Sequence, residues 1–317
     1  MDYEKANKLK SIRSRIYNKD EKCFVENCNQ ICIKSHVIQR SKFLLPISNA
    51  KQELLYVNNT SNYPAKLSSF EHRPISNILT FQGFCSQHDQ MIFAEIEKSD
   101  IDFSNKKHLL LLNYRSICHE LRKKLKIIEL FNEIIKRQDE LKLENVEFFE
   151  SSIIGYQLGI KDLKIYKVRA EKDLVNDNIN EFTFKVIDLD YQEIATTAIF
   201  GMGTIGKKEL LEMGDPNWIN KLPPSILISV LPIRPTTKLV MAYLNEHDEH
   251  FKQYIKNYPE IGNDFLNDIL LQQIETWACS ETFHANNIKQ QEETVLEIMR
   301  NKGVFEPVEF NIKTKIV

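Results

Sequence analysis

Three cysteines and a histidine have the types and the spacing that could bind a metal ion. Cys23 and Cys28 are separated by four residues, and Cys85 and His88 follow as a second pair with two residues between them. Two such pairs supply the four thiolate and imidazole ligands of a closed tetrahedral Zn²⁺ site. We therefore expect these four residues to hold a structural zinc ion, with Cys32 as an alternative to Cys28.

Local structure must point both pairs at one ion. The four-residue spacing between Cys23 and Cys28 fits a tight turn that directs both thiolates to the same side. The second pair is followed by the sequence DQMIFAEIEK, which predicts a helix. A three-residue spacing at the start of a helix places Cys85 and His88 on one face, one turn apart.

Two further residues should lie near this zinc ion without binding it. The alternating apolar residues between 33 and 39 predict a strand that carries His36 near its start. Asp89 comes directly after His88. We expect His36 and Asp89 to converge beside the start of the predicted helix.

This order of motifs resembles the HNH endonucleases, the ββα-metal treble-clef nucleases, over roughly residues 20–97. In that family a strand histidine activates water, and a residue after the second helix ligand binds a catalytic divalent cation. The resemblance implies that His36 is the general base and that Asp89 takes the place of the last metal-binding histidine. It also implies a middle asparagine, for which Asn77 is the nearest candidate and Gln82 an alternative.

Phosphodiester hydrolysis requires a base that deprotonates water and a cation that offsets charge on the phosphate. A histidine suits the first task, and Mg²⁺ or a similar cation held by few carboxylates suits the second. The resemblance therefore implies a metal-dependent nuclease that hydrolyses DNA, of the kind associated with bacterial antiviral defence.

Two departures from the family pattern keep other functions open. Ser35 stands where a second metal ligand is common, and 48 residues separate His36 from Cys85, which is a long interval. One alternative is a non-catalytic, zinc-stabilised binding or sensor protein. Another is a toxin that cuts RNA with the same centre.

The net charge of −2 hides an asymmetry between the two halves of the chain. Residues 1–142 contain 24 Lys and Arg against 17 Asp and Glu, and residues 143–317 contain 18 against 27. Such asymmetry is a hint of a basic part that faces nucleic acid. The basic run 122–126 could contact phosphates, or it could form a solvated helix face.

The rest of the chain predicts an α+β fold. Apolar residues at three- to four-residue spacing predict two long helices, over about 105–143 and 146–173, that form an antiparallel hairpin. Alternating patterns and short connections predict antiparallel strands at 182–189, 193–200, 226–231 and 238–244. We expect a zinc-stapled treble-clef module with a basic arm, a helical hairpin, and an α+β domain of unknown role, over residues 1–100, 101–178 and 179–317.

The composition limits the cellular compartment and the kinds of partner that we expect for this protein. No window approaches 18 consecutive apolar residues, and the first 15 residues have no apolar core of a signal peptide. We therefore expect a cytoplasmic protein without a membrane partner. The expected partners are nucleic acid, with DNA favoured, a protein bound by the C-terminal domain, and a second copy bound through the long helices. The motif G-x-G-x-x-G that begins at Gly201 is interpreted as a loop.

Overall fold

The computed structural model describes residues 3–58, 69–202, 221–301, 309 and 312–317. Within these residues the helices are α1 (Tyr3–Tyr17), α2 (Ser86–Lys98), α3 (Lys106–Lys136), α4 (Gln138–Leu141), α5 (Val146–Asn176), α6 (Asp248–Ile255), α7 (Asn263–Gln272), α8 (Glu281–Asn287) and α9 (Glu292–Asn301). The strands are β1 (Ser35–His36), β2 (Glu53–Asn58), β3 (Glu71–Pro74), β4 (Thr80–Phe81), β5 (Phe182–Asp190), β6 (Ile194–Gly201), β7 (Ser225–Ile233), β8 (Thr236–Leu244) and β9 (Thr276–Cys279). This order confirms the predicted mixture of helices and antiparallel strands.

The two long helices form the predicted hairpin. Helix α3 begins after Asn105, whose side chain accepts a hydrogen bond from the Lys107 amide, and α5 begins after Asn145, which caps the Phe148 amide in the same way. Their apolar faces pack against each other, and α1 adds three buried side chains to the far end of the hairpin: Leu9, Ile12 and Ile16. Helix α3 ends at Lys136, earlier than predicted, because the short helix α4 occupies the following residues.

A seven-stranded sheet with the order β3-β2-β9-β6-β7-β8-β5 forms the centre of the molecule, and each neighbouring pair is antiparallel. Strands β2, β3 and β9 were not among the strands predicted from the sequence. Strand β2 is flanked by β3 and β9. It buries the adjacent residues Leu54 and Leu55 as well as Val57, so it lacks the alternation that marks a half-exposed strand.

The sheet is covered by helices on both faces. Leu227 and Leu231 of β7 belong to the same core as the buried residues of α3 and α5. The alternate residues Ile226, Ile228 and Val230 pack with the C-terminal helices α6, α7 and α9. Because successive side chains of a strand point to opposite faces, one continuous apolar run fills two cores.

The first hundred residues are tied to this sheet. A turn is closed by a bridge between Lys22 and Ile31, and β1 pairs with β4 shortly before α2 begins. Strands β2 and β3 lie between β1 and β4 in sequence, and they account for the long interval between His36 and Cys85. The predicted domain boundary at residue 100 stays a prediction, and the pairing of β2 with β9 crosses it.

Among the described residues, no helix has the length and apolarity needed to cross a membrane.

Candidate metal centre and its surroundings

The structure brings the four predicted metal ligands together. The Sγ atoms of Cys23, Cys28 and Cys85 and a ring nitrogen of His88 all lie within 4.8 Å of one another. Nδ1 of His88 is 3.4 Å from Sγ of Cys23 and 3.3 Å from Sγ of Cys85, and the Sγ atoms of Cys28 and Cys85 are 4.0 Å apart. Tetrahedral Zn²⁺ with ordinary bond lengths needs about 3.8 Å between sulfurs and about 3.6 Å between sulfur and nitrogen. The cluster therefore has the donor set and the spacing for a metal such as zinc.

Backbone hydrogen bonds shape the turn that carries the first pair. The Cys23 amide donates to the carbonyl of Gln30 at 3.1 Å, and the Cys28 amide donates to the carbonyl of Val25 at 3.1 Å. Asn27 lies in the left-handed region with φ of 61°, a conformation that asparagine tolerates better than most residues. The turn thus brings both thiols to one side, as the spacing predicts.

Helix α2 positions the second pair. Cys85 is its N-cap residue, and His88 lies in its first turn. A hydrogen bond from the backbone amide of His88 holds the pKa of the Cys85 thiol below its usual range. The thiolate is the form that binds metal, so the start of the helix favours the ligating state of Cys85.

Cys32 lies outside the cluster. Its thiol is buried, and burial raises its pKa to about 11, which favours the neutral thiol. Its backbone amide donates to the carbonyl of Glu21 at 2.8 Å and helps to close the turn. Within the described part of the chain, Cys28 and not Cys32 completes the group of four.

His36 lies on β1 opposite Thr80 and is partly buried. Its Nε2 atom is 2.8 Å from the carbonyl oxygen of Ile75. Since a carbonyl only accepts, Nε2 carries the hydrogen in this contact, and Nδ1 is left as the basic nitrogen of the neutral ring. Ile75 is a site residue that the sequence did not indicate, because a backbone carbonyl has no side-chain signature.

The surroundings of His36 are positively charged. The pKa of His36 is lowered mainly by burial. The hydrogen bond to the Ile75 carbonyl opposes this shift, and the positive charges of Arg40, Lys34 and Arg115 add to it. The ring is therefore neutral at pH 7 and can accept a proton. Lys34 and Arg40 are exposed, so they offer charge to solvent beside a basic imidazole.

The predicted residue Asn77 lies close to this group but is bound to Lys34. Its Oδ1 atom accepts a hydrogen bond from Lys34 Nζ at 2.7 Å, and its side chain is exposed between β3 and β4. The hydrogen bond that orients His36 is instead donated by its own Nε2 to the carbonyl oxygen of Ile75. A catalytic role for Asn77 stays a prediction.

Asp89 lies in the first turn of α2, beside Arg115 of α3. Its Oδ1 atom is buried, accepts no hydrogen bond among the described residues, and lies 3.8 Å from Nη2 of Arg115. A buried carboxylate oxygen without a donor fits the role of a cation ligand. The predicted Mg²⁺ at Asp89 stays a prediction. The positive charge of Arg115 thus lies beside Asp89 and also lowers the pKa of His36, so one side chain acts on both predicted catalytic residues.

Two members of the basic run 122–126, Arg122 and Lys126, are used inside the protein. Arg122 donates to the carbonyls of Gln82 and Lys22 at 2.7 Å each and pairs with Glu21, and Lys126 also pairs with Glu21. Both cations are buried. The predicted phosphate contact and the predicted solvated face are therefore both wrong for these two residues, because they join α3 to the turn that carries Cys23.

No protein-family model, no curated protein and no solved structure matches this chain.

The glycine-rich motif that begins at Gly201 continues beyond residue 202 outside the described residues.

Proposed function

We propose that the chain is a metal-dependent phosphodiesterase of the HNH type that cuts nucleic acid, with DNA as the favoured substrate. The observation that carries the proposal is the state of His36. Its Nε2 is bound by the Ile75 carbonyl, its Nδ1 is left as a base, and three positive charges lie around it. A fixed neutral imidazole among cations suits chemistry on a phosphate anion.

The order of elements around the metal ligands supports this proposal. A turn with two thiols, a strand with His36, and a helix that opens with Cys85 and His88 follow one another as in a treble-clef or ββα-metal module. We assign the cluster to a structural Zn²⁺, because four protein ligands leave no open coordination position. In this role the ion ties the start of α2, and with it Asp89, to the turn that carries Cys23 and Cys28.

The residues perform separate parts of the hydrolysis. Nδ1 of His36 takes a proton from a water molecule, whose oxygen forms a new bond to phosphorus while the ester P–O bond breaks. The departing oxygen takes its proton from solvent water, and the imidazolium returns its proton to solvent. Lys34 and Arg40 are exposed and their charges act on His36, so in this mechanism they bind the phosphate backbone next to the cut. Asp89 would hold Mg²⁺, which supplies positive charge to the phosphate when bound.

A second function is favoured by two specific features. Ser35, which precedes His36, is buried with its hydroxyl lacking a hydrogen-bond partner among the described residues, and it supplies no second ligand. Arg115 already places one positive charge beside Asp89. These features favour a non-catalytic, zinc-stabilised binding or sensor protein.

A nuclease assay on the purified, zinc-loaded protein distinguishes the two functions. The substrates are single- and double-stranded DNA and RNA, with Mg²⁺ or Mn²⁺ present or with EDTA. We expect DNA cleavage that stops in EDTA and returns when Mg²⁺ alone is added back. Cleavage confined to RNA would support the toxin alternative, and no cleavage of any substrate with either metal would overturn the proposal in favour of a binding protein.

A further inference from the structure

Helix α2 presents an acid, an aromatic ring and an acid along one face. Asp89, Phe93 and Glu97 are spaced by four residues, so they lie above one another on the helix. The guanidinium of Arg115, from α3, lies across this row with Cζ 3.9 Å from the centre of the Phe93 ring. Its side chain is only 2% exposed, so its contacts are made inside the protein.

The two carboxylates share Arg115 unequally. Nη1 of Arg115 is 2.6 Å from Oε1 of Glu97, a charge-assisted hydrogen bond, whereas Nη2 is 3.8 Å from Oδ1 of Asp89. Oδ1 of Asp89 and Nε of Arg115 are both buried without a hydrogen-bond partner among the described residues. Arg115 therefore donates a hydrogen bond to Glu97, whereas Oδ1 of Asp89 stays without a donor.

We propose that Glu97 is a positioning residue that holds Arg115 away from Asp89 and so keeps Asp89 available to a divalent cation. The inference rests on the proposed role of Asp89 as a cation ligand. A guanidinium in contact with Asp89 would compete with a cation for the same carboxylate and would repel it at short range. Glu97 prevents that contact because it offers Arg115 a closer negative charge.

The test is an electron paramagnetic resonance titration of the zinc-loaded full-length chain with Mn²⁺, which measures binding without any cleavage. Mn²⁺ prefers oxygen ligands, so it does not replace zinc among the thiolates. We expect Asp89→Asn to abolish the Mn²⁺ site. Glu97→Gln should weaken Mn²⁺ binding by about tenfold, and Arg115→Met should tighten it. The double variant that combines Glu97→Gln with Arg115→Met should bind Mn²⁺ at least as tightly as the wild type.

Glu95→Gln is the matched control. Glu95 is on the same helix and equally exposed, but its carboxylate pairs with Lys107 at 2.8 Å. We expect no change in Mn²⁺ affinity for this variant. Glu97 is 43% exposed, so we expect Glu97→Gln to fold. The Mn²⁺ affinity of this variant tests the inference even if Arg115→Met, a change at a buried residue, does not fold.

Three results would overturn the inference: an unchanged affinity in Glu97→Gln, a loss of the same size in Glu95→Gln, or no Mn²⁺ site that depends on Asp89. The nuclease proposal is judged separately, by cleavage. Mn²⁺ binding with the expected opposite shifts but without cleavage would overturn the nuclease and leave this inference intact. Cleavage without an Asp89-dependent Mn²⁺ site would do the reverse.

Discussion

The guanidinium of Arg122 forms an ion pair with Glu21, and Nη1 and Oε2 are 2.5 Å apart. Arg122 is on the long helix α3, and Glu21 directly precedes the turn that carries the first two metal ligands. Stacking of the guanidinium on the Phe24 ring, with Cζ 4.1 Å from its centre, adds a second contact to the same turn. One buried side chain thus connects the metal cluster to the helical hairpin.

We expect Arg122→Ala to lower the free energy of unfolding by about 3 kcal/mol, because it leaves the carbonyls of Gln82 and Lys22 without their buried donor and Glu21 with Lys126 as its remaining partner. Urea unfolding followed by circular dichroism measures this loss, and a colorimetric chelator should show faster zinc release. Lys136→Ala, an exposed change in the last turn of the same helix, is the control and should cost less than about 0.5 kcal/mol. Equal effects of the two variants would contradict the structural role of Arg122.

Metal content should distinguish Cys28 from Cys32. We expect about one tightly bound zinc ion per wild-type chain. Cys28→Ser should lose much of this zinc and Cys32→Ser should keep it, because Cys28 is one of the four clustered ligands and Cys32 is not. Mass spectrometry of the metal in dialysed protein measures the content. Metal removal should also lower the midpoint of thermal unfolding. Zinc loss in Cys32→Ser with retention in Cys28→Ser would show that the ligand assignment is wrong.

His36→Ala should lower the rate of cleavage by at least about 100-fold, since a general base contributes that much or more. His108→Ala is the matched control, because His108 is also partly buried but bonds to the Asp102 amide at the start of α3. We expect it to retain the wild-type rate. Single-turnover cleavage of a labelled duplex measures both variants, and full activity in His36→Ala would remove His36 from the mechanism.

The pH dependence follows from the direction of the pKa shift of His36. Burial and nearby cations lower its pKa below the ordinary 6.5, so the basic form persists as the pH falls through 6.5 and is lost only at lower pH. We expect the single-turnover rate to decline as the pH falls, with the midpoint of the decline below pH 6.5. Arg40→Gln removes one of the lowering charges, so the decline should begin at a higher pH. A midpoint above pH 6.5 in the wild type would contradict the assignment of His36 as the base.

The amino-acid sequence by itself determined the features that depend on local spacing. The metal ligands were found because a tight turn and the start of a helix each need a short, regular interval between Cys23 and Cys28 or between Cys85 and His88. The long helices and the strands from β5 to β8 were found because their apolar periods repeat over many residues.

Tertiary structure alone decided which distant residues meet. Strands β2 and β9 owe their state to hydrogen bonds with each other, more than 200 residues apart in sequence, and short strands buried on both faces have no period to detect. Arg115 and Arg122 look like solvent-facing cations in a helical pattern. Their burial depends on carboxylates and carbonyls supplied by other segments, and a charge enters the interior only where such partners offset the loss of water.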